Sequence, residues 1–288
     1  MSTTATAPLD RVQTLTPWRM RHELRAAWIV WKRELIRFVR QPARIVTGLV
    51  QPILFLFVLG TGLTSLVGET GGLDYRKFIF PGVLAMSVLT TAIFSAVSIV
   101  WDREFGFLRE MLVAPVGRAS LVIGKTLGGT AVATIQGSIM LVLAPFIGVR
   151  VTALVVVEVV AASALMAFGL TAFGVFVASR MQKIESFQVI MQFLLMPMLF
   201  LSGALFPITG LPTWLSVITK LDPVAYAIDP IRRVFFAAQD LPAVALVRFG
   251  GGVEWFGHVL PVGAEVLVLI VFSLVFLVLS IRSFGKTD

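Results

Sequence analysis

"FIFPGVLAMSVLTTAIFSAVSIVW", Phe78 to Trp101, runs for 24 residues without an Asp, Glu, Lys or Arg. A helix rises 1.5 Å per residue, so about 20 such residues cross the ~30 Å hydrocarbon core of a bilayer. The stretch reads as a transmembrane helix. Charge-free runs of comparable length occupy Ile45 to Val67, Thr126 to Val149, Val159 to Ser179 and Ser186 to Thr219. The last of these is interrupted by Pro197, Gly203, Pro207 and Pro212. A sixth run, Val266 to Ile281, is short but extends back past Glu265. The pattern predicts an all-α polytopic membrane protein with six transmembrane helices over residues 43–288.

The composition agrees. Of 288 residues, 57% are hydrophobic and only 14% charged, with a mean hydropathy of +0.93, whereas soluble domains carry roughly 25% charged residues. Such a chain cannot cover itself with polar surface. There is no cysteine, which excludes disulfides and Cys-ligated metal but gives no evidence about compartment. The net charge of +8 follows topology: Lys and Arg gather on the cytoplasmic side of membrane proteins. With both termini inside, the inner segments hold 17 basic and 8 acidic residues, against 7 and 8 outside. The asymmetry predicts an even number of spans with both ends cytoplasmic, and it leaves no charge excess that calls for a nucleic-acid partner.

Residues 1–21 are Thr- and Ala-rich and lack the apolar core of a cleavable signal, so a disordered tail is expected there. Residues 22–42 then place Leu24, Trp28, Trp31, Leu35 and Phe38 at helical spacing, with Arg25, Lys32, Arg33, Arg37 and Arg40 around them and Pro42 as a stop. A basic amphipathic helix with tryptophans lies in the headgroup layer of an anionic leaflet. The same helix is also suited to bracing a cytoplasmic partner.

Between the second and third spans comes "WDREFGFLREMLVAPVGRASLVIGK", Trp101 to Lys125. Asp102 is placed to cap a short helix carrying Phe105, Leu108 and Leu112 on one side, ended by Pro115. Its acids Asp102, Glu104 and Glu110 make lipid a poor dock and a protein surface a better one; an ordinary loop is the other reading. Gly124-Lys125-Thr126 looks like a phosphate loop, but the spacing G-x-x-x-x-G-K-[ST] is absent, because six residues separate Gly117 from Gly124. Gly124-x-x-x-Gly128 reads instead as a small-residue face for close helix packing, with Lys125 an interfacial charge.

Polar residues inside the spans are few. Thr90, Thr91, Ser95 and Ser98 in the second and Gln188 and Gln192 in the fifth either bond between helices or line a substrate path. Glu158, near the start of the fourth span, either reaches the outer interface or has a function inside the membrane. After the fifth span, Phe206 to Phe236 is too apolar for a free loop and too rich in Pro and Gly for a straight span. Two short helices dipping into the outer leaflet fit it. Only His22 and His258 are present, and neither H-E-x-x-H, D-D-x-x-D nor G-x-S-x-G occurs, so catalysis by this chain is not expected.

Phe80 to Lys125 resembles the signature region of the ABC type-2 permeases, in particular the daunorubicin-resistance-like drug-exporter permeases. Leu201 to Phe236 is similar to the outward segment before the last helix of that family. The resemblance implies a permease in the bacterial cytoplasmic membrane, paired with itself or a related permease and driven by two separate ATPase subunits that hold ATP and magnesium; this chain would bind no cofactor. It further implies a coupling helix from Asp102 to Ala114, with Glu104, Arg109 and Glu110 touching the ATPase and Phe105 and Leu108 docking. The interfacial helix, with Trp28, Trp31, Arg33 and Arg37, would flank the same partner and the membrane lipid. Pro212, Trp214, Pro223, Tyr226 and Arg232 would belong to an outward gate. The cargo expected is an amphiphilic drug or lipid. A lipid-linked polysaccharide is the alternative, weakened by only two tyrosines and the lack of aromatic ladders in the spans; a polytopic membrane enzyme is the third reading.

Overall fold

The computed structural model describes residues 17–67, 75–106, 117–208, 210–239, 252–255 and 258–284. Six helical stretches among them are long and apolar enough to span a bilayer: Pro42–Thr64, Tyr75–Glu104, Arg118–Ile147, Ala153–Ala178, Ile184–Leu201 and Val262–Phe284. The protein is an all-α polytopic membrane protein, as the charge-free runs require.

Ahead of the first span lies α1, Pro17–Val39. It starts five residues before the expected His22, so Pro17 to Arg21 belong to a helix and not to a tail. Proline at a first helical position forfeits no hydrogen bond. The first span comprises α2, Pro42–Leu54, a π-helical turn at Phe55–Leu59, and α3, Gly60–Val67. The π turn follows Pro52, whose missing N–H disturbs the ladder.

The second span is α4, Tyr75–Ser95, continued by α5, Val97–Glu104. It forms the centre of the molecule: 72% of its membrane window is buried, against 17% for the first and 22% for the fifth span. Phe78 to Leu89 are all buried. Against it pack α6, Arg118–Leu141, and α7, Ala153–Ala178, which is capped by the Thr152 hydroxyl accepting from Val155 N–H at 3.3 Å. Glu158 is exposed on α7.

The fifth span is α8, Ile184–Leu201, which ends sooner than the charge-free run, because Gly203 takes φ +74 and turns the chain. Two shorter helices follow, α9 (Thr213–Leu221) and α10 (Pro223–Ala237), then a two-residue hairpin of β1, Glu254–Trp255, and β2, His258–Val259. The last span, α11, runs from Val262 to Phe284 and contains Glu265 in its first turn.

The α9–α10 junction is re-entrant. Leu221, Asp222 and Pro223 share one cavity of about 260 Å³ with Phe272, near the middle of α11, and with Pro197 of α8. At its other end α10 meets the start of α11 through Arg233 and Glu265. The chain thus runs along α9 to a turn beside the middle of α11 and returns along α10 to the start of α11. Asp222 caps the returning helix by accepting from Val224 N–H at 3.0 Å.

Candidate functional site

The C-terminal half of α1, the end of α5 and the first turns of α6 are tied by a buried ionic knot. Lys125 Nζ donates to Glu34 Oε1 at 2.8 Å, to Asp102 Oδ2 at 2.7 Å and to Ser98 Oγ at 2.9 Å. Arg33 also donates to Asp102, at 2.8 Å. Close helix approach makes this possible. A Cβ on Gly124 would lie 2.7 Å from the Ala27 carbonyl oxygen, and one on Gly128 would lie 2.8 Å from Glu34 Cβ. The paired glycines therefore let α1 lie directly on α6, the packing role read from their spacing.

Three expectations change here. Lys125 is not an interfacial charge, since two carboxylates and a hydroxyl surround it below the surface. Asp102 does not cap a new helix or face a partner; it is buried in the last turn of α5. The face of α1 turned to the protein carries Ala27, Val30, Glu34 and Phe38, while Leu24, Trp28, Ile29 and Val39 are exposed. Tertiary packing on glycines, and not hydrophobicity alone, selects that face. Trp28 stacks on Trp31 at 4.5 Å between centroids.

Beyond the knot α5 ends at Glu104, with Gly106 at φ +82 completing the stop. Arg103 reaches across to the C-terminal end of α7, donating to Ser179 O at 2.9 Å and also to Met181 O. Glu104 accepts from Ile184 N–H at 2.9 Å, at the N-terminus of α8, where a carboxylate is favoured. Phe105 is 57% exposed and packs against Trp101 at 5.0 Å. Leu108, Arg109 and Glu110 lie outside the described residues, as does the rest of the expected coupling helix to Ala114.

The opposite end of the bundle holds a second charged cluster. Arg232 is fully buried over the ring of Phe78, 4.8 Å from its centroid, and bonds the Gly203 carbonyl. Arg233 bridges Asp229 at 2.5 Å and Glu265 at 3.2 Å and donates to Leu260 O at 3.0 Å. Tyr226 donates to Lys220 O at 2.8 Å and accepts from Trp255 Nε1 at 2.9 Å. Pro212 precedes α9 as its cap residue and Pro223 opens α10, while Trp214 is 66% exposed. Tyr226 and Arg232 are thereby brought together with Asp229, Arg233 and Glu265; Pro212 and Trp214 stand on the exposed limb.

A cleft runs between α2, α4 and α8, with Phe94 as its floor. On one side Phe94 lines an open groove of about 830 Å³ together with Gln188, Gln192, Phe193, Met196 and Pro197. On the other it lines a cavity of about 230 Å³ with Arg44, Thr47, Gln51, Thr90 and Gln136. Four of the six polar residues expected to bond between helices or line a substrate path, Thr90, Thr91, Gln188 and Gln192, therefore line this cleft, while Ser98 is bonded by Lys125. Ser95 does not line it: a Cβ on Gly129 would lie 2.1 Å from its Oγ, which places it in the α4–α6 contact, where it donates to Ala92 O at 2.6 Å.

The family model for the ABC-2 type transporter matches residues 25–236, from α1 through α10. The chain belongs to the ABC-2 type transporter family. It is a membrane permease of an ABC transporter. Relatives of this ABC-2 permease include the ycf38 protein of Cyanophora paradoxa, 27% identical over 253 residues (86% of this chain, 85% of that one). Nodulation protein J of Rhizobium leguminosarum bv. viciae is 28% identical over 232 residues (79% and 84%). The inner membrane transport permease YadH of Escherichia coli is 28% identical over 221 residues (75% and 84%).

Sequence reasoning on this permease missed the knot and the Asp229–Arg233–Glu265 cluster. One signal was present: Glu34, an acid inside a basic helix, shares a face with Ala27, Val30 and Phe38. An acid on the packing face of such a helix calls for a buried cation.

Proposed function

We propose that this permease is the membrane half of an ATP-driven exporter that moves amphiphilic drugs or lipid-like molecules outward across the bacterial cytoplasmic membrane. Two permease halves, identical or related, associate with two ATPase subunits, which hold ATP and magnesium. Both chain termini face the cytoplasm, and the lipid-facing tryptophans of α1 anchor that side.

One observation carries the substrate path. Gln188 and Gln192 are exposed on a membrane-spanning helix beside an open groove of about 830 Å³. A side-chain amide facing hydrocarbon loses its hydrogen bonds at a cost of several kcal/mol, so this face is suited to water, cargo or a second permease half. The mechanical link follows from the cytoplasmic geometry. The exposed Trp101–Phe105 pair, with the continuation through Leu108, Arg109 and Glu110, receives the ATPase, and the knot of Lys125 passes its displacement to α1, α5 and α6 as one body. Glu104 and Arg103 extend the same push to α7 and α8. At the far side the re-entrant α9–α10 hairpin, with Tyr226 and Arg232, gates release.

The test is transport by the purified permease and its ATPase in proteoliposomes. ATP-dependent movement of a fluorescent amphiphile, lost when Gln188 and Gln192 are both replaced by leucine, is the expected result. Movement that needs no ATPase, or that ignores both substitutions, overturns the reading.

A further inference from the structure

A third cavity sits at the cytoplasmic end of the cleft, about 250 Å³ in volume and lined by Arg37, Gln41, Arg44, Val97, Ser98 and Trp101. Arg44 lines both this cavity and the one containing Thr90, and Phe94 lines both that one and the large groove. Three spaces therefore follow one another, from a basic chamber through a polar neck to an apolar groove. The groove runs from Gln188 to Pro197, about 13 Å along α8.

The basic chamber carries an uncompensated charge. The two acids nearest to it, Glu34 and Asp102, are already engaged by Lys125 and Arg33. Among the described residues Arg37 has no hydrogen bond or ion pair, and Arg44 has one long contact, 3.5 Å to Phe94 O. Two half-buried arginines that line one cavity, neither of them in an ion pair among the described residues, suit an anion.

We propose that Arg37 and Arg44 form a binding site for the phosphate group of an anionic amphiphile drawn from the inner leaflet, whose apolar part lies in the Phe94 cleft. The proposal rests on the export reading and narrows its cargo to phosphate-bearing lipids or lipid-like molecules, in place of cationic drugs. Phosphate suits the donor set better than carboxylate. Two guanidinium forks, the Gln41 amide and the Ser98 hydroxyl, whose oxygen accepts from Lys125, offer more donors than two carboxylate oxygens can use. The Trp101 indole at the mouth suits the headgroup layer.

Lipid binding to the purified full-length permease, without any ATPase, is the direct test. Native mass spectrometry with short-chain phosphatidic acid and with phosphatidylcholine as probes should show preference for phosphatidic acid. Arg37→Gln and Arg44→Gln should each weaken its binding about tenfold, the loss of one charge-assisted hydrogen bond. Arg40→Gln, on an exposed side chain outside the cavity, should change nothing. Arg37 makes no side-chain bond among the described residues, so its variant tests the site even if the Arg44 variant folds poorly. Equal binding of both lipids, equal loss in the Arg40 variant, or complete displacement by millimolar inorganic phosphate would overturn the proposal; the last would assign the site to free phosphate. Because no ATP is involved, the lipid result stands apart from the proteoliposome test: failure of transport with intact lipid selectivity rejects the exporter, not the anion site.

Discussion

Lys125→Met is the most informative single substitution. It removes the cation that holds two carboxylates at 2.8 and 2.7 Å, with side-chain exposures of 7% for Lys125, 10% for Glu34 and 5% for Asp102. Asp102 would retain Arg33, but that guanidinium is 38% exposed and its contribution is screened to below about 1 kcal/mol. Among the described residues Glu34 would retain Arg33 at 3.8 Å as its nearest cation. Breaking a buried pair by deleting one partner costs about 3–5 kcal/mol, because the remaining charge stays desolvated. Unfolding of the permease in mixed micelles by increasing SDS, followed by tryptophan fluorescence, should report a loss in that range. Lys125→Arg should recover part of it. The triple change Lys125→Met, Glu34→Leu, Asp102→Leu should approach the parent, because an apolar replacement of a buried ion cluster carries no desolvation debt. A loss below about 0.5 kcal/mol for Lys125→Met alone would refute the knot as a buried, mutually dependent unit.

Other outcomes follow from the same geometry. Gly124→Val should push α1 off α6, since even a Cβ would meet the Ala27 carbonyl at 2.7 Å; overpacking of about 1–3 kcal/mol is expected, with faster proteolysis of α1 as the readout. Glu104→Ala should free the start of α8, costing about 1 kcal/mol as a lost helix-end contact, detectable as faster amide exchange at Ile184.

The spans were legible because a charge-free run of some 20 residues has one outcome in a bilayer, and Phe78 to Trp101 is such a run. The glycine pair was legible for a similar reason: only close packing uses two small residues one helical turn apart. The knot was not, because its partners lie 91, 23 and 69 residues apart in the chain. Asp102 misled for a local reason. Aspartate ahead of Phe105, Leu108 and Leu112 has the pattern of a helix start, yet the second span simply continues through it and Lys125 supplies the charge that lets it be buried. Ser95 and Thr90 are both hydroxyls on one helix, and no property of the sequence distinguishes the one against Gly129 from the one that opens to the cleft.

The central claim places the end of α5 in the cytoplasm, within reach of an ATPase, and the α9–α10 hairpin on the opposite side. The chain has no cysteine, so single reporters can be introduced without background. A membrane-impermeant maleimide should label Phe105→Cys in inverted vesicles but not in intact cells, and Trp214→Cys in intact cells but not in inverted vesicles. Labelling of Phe105→Cys from outside the cell would contradict the account.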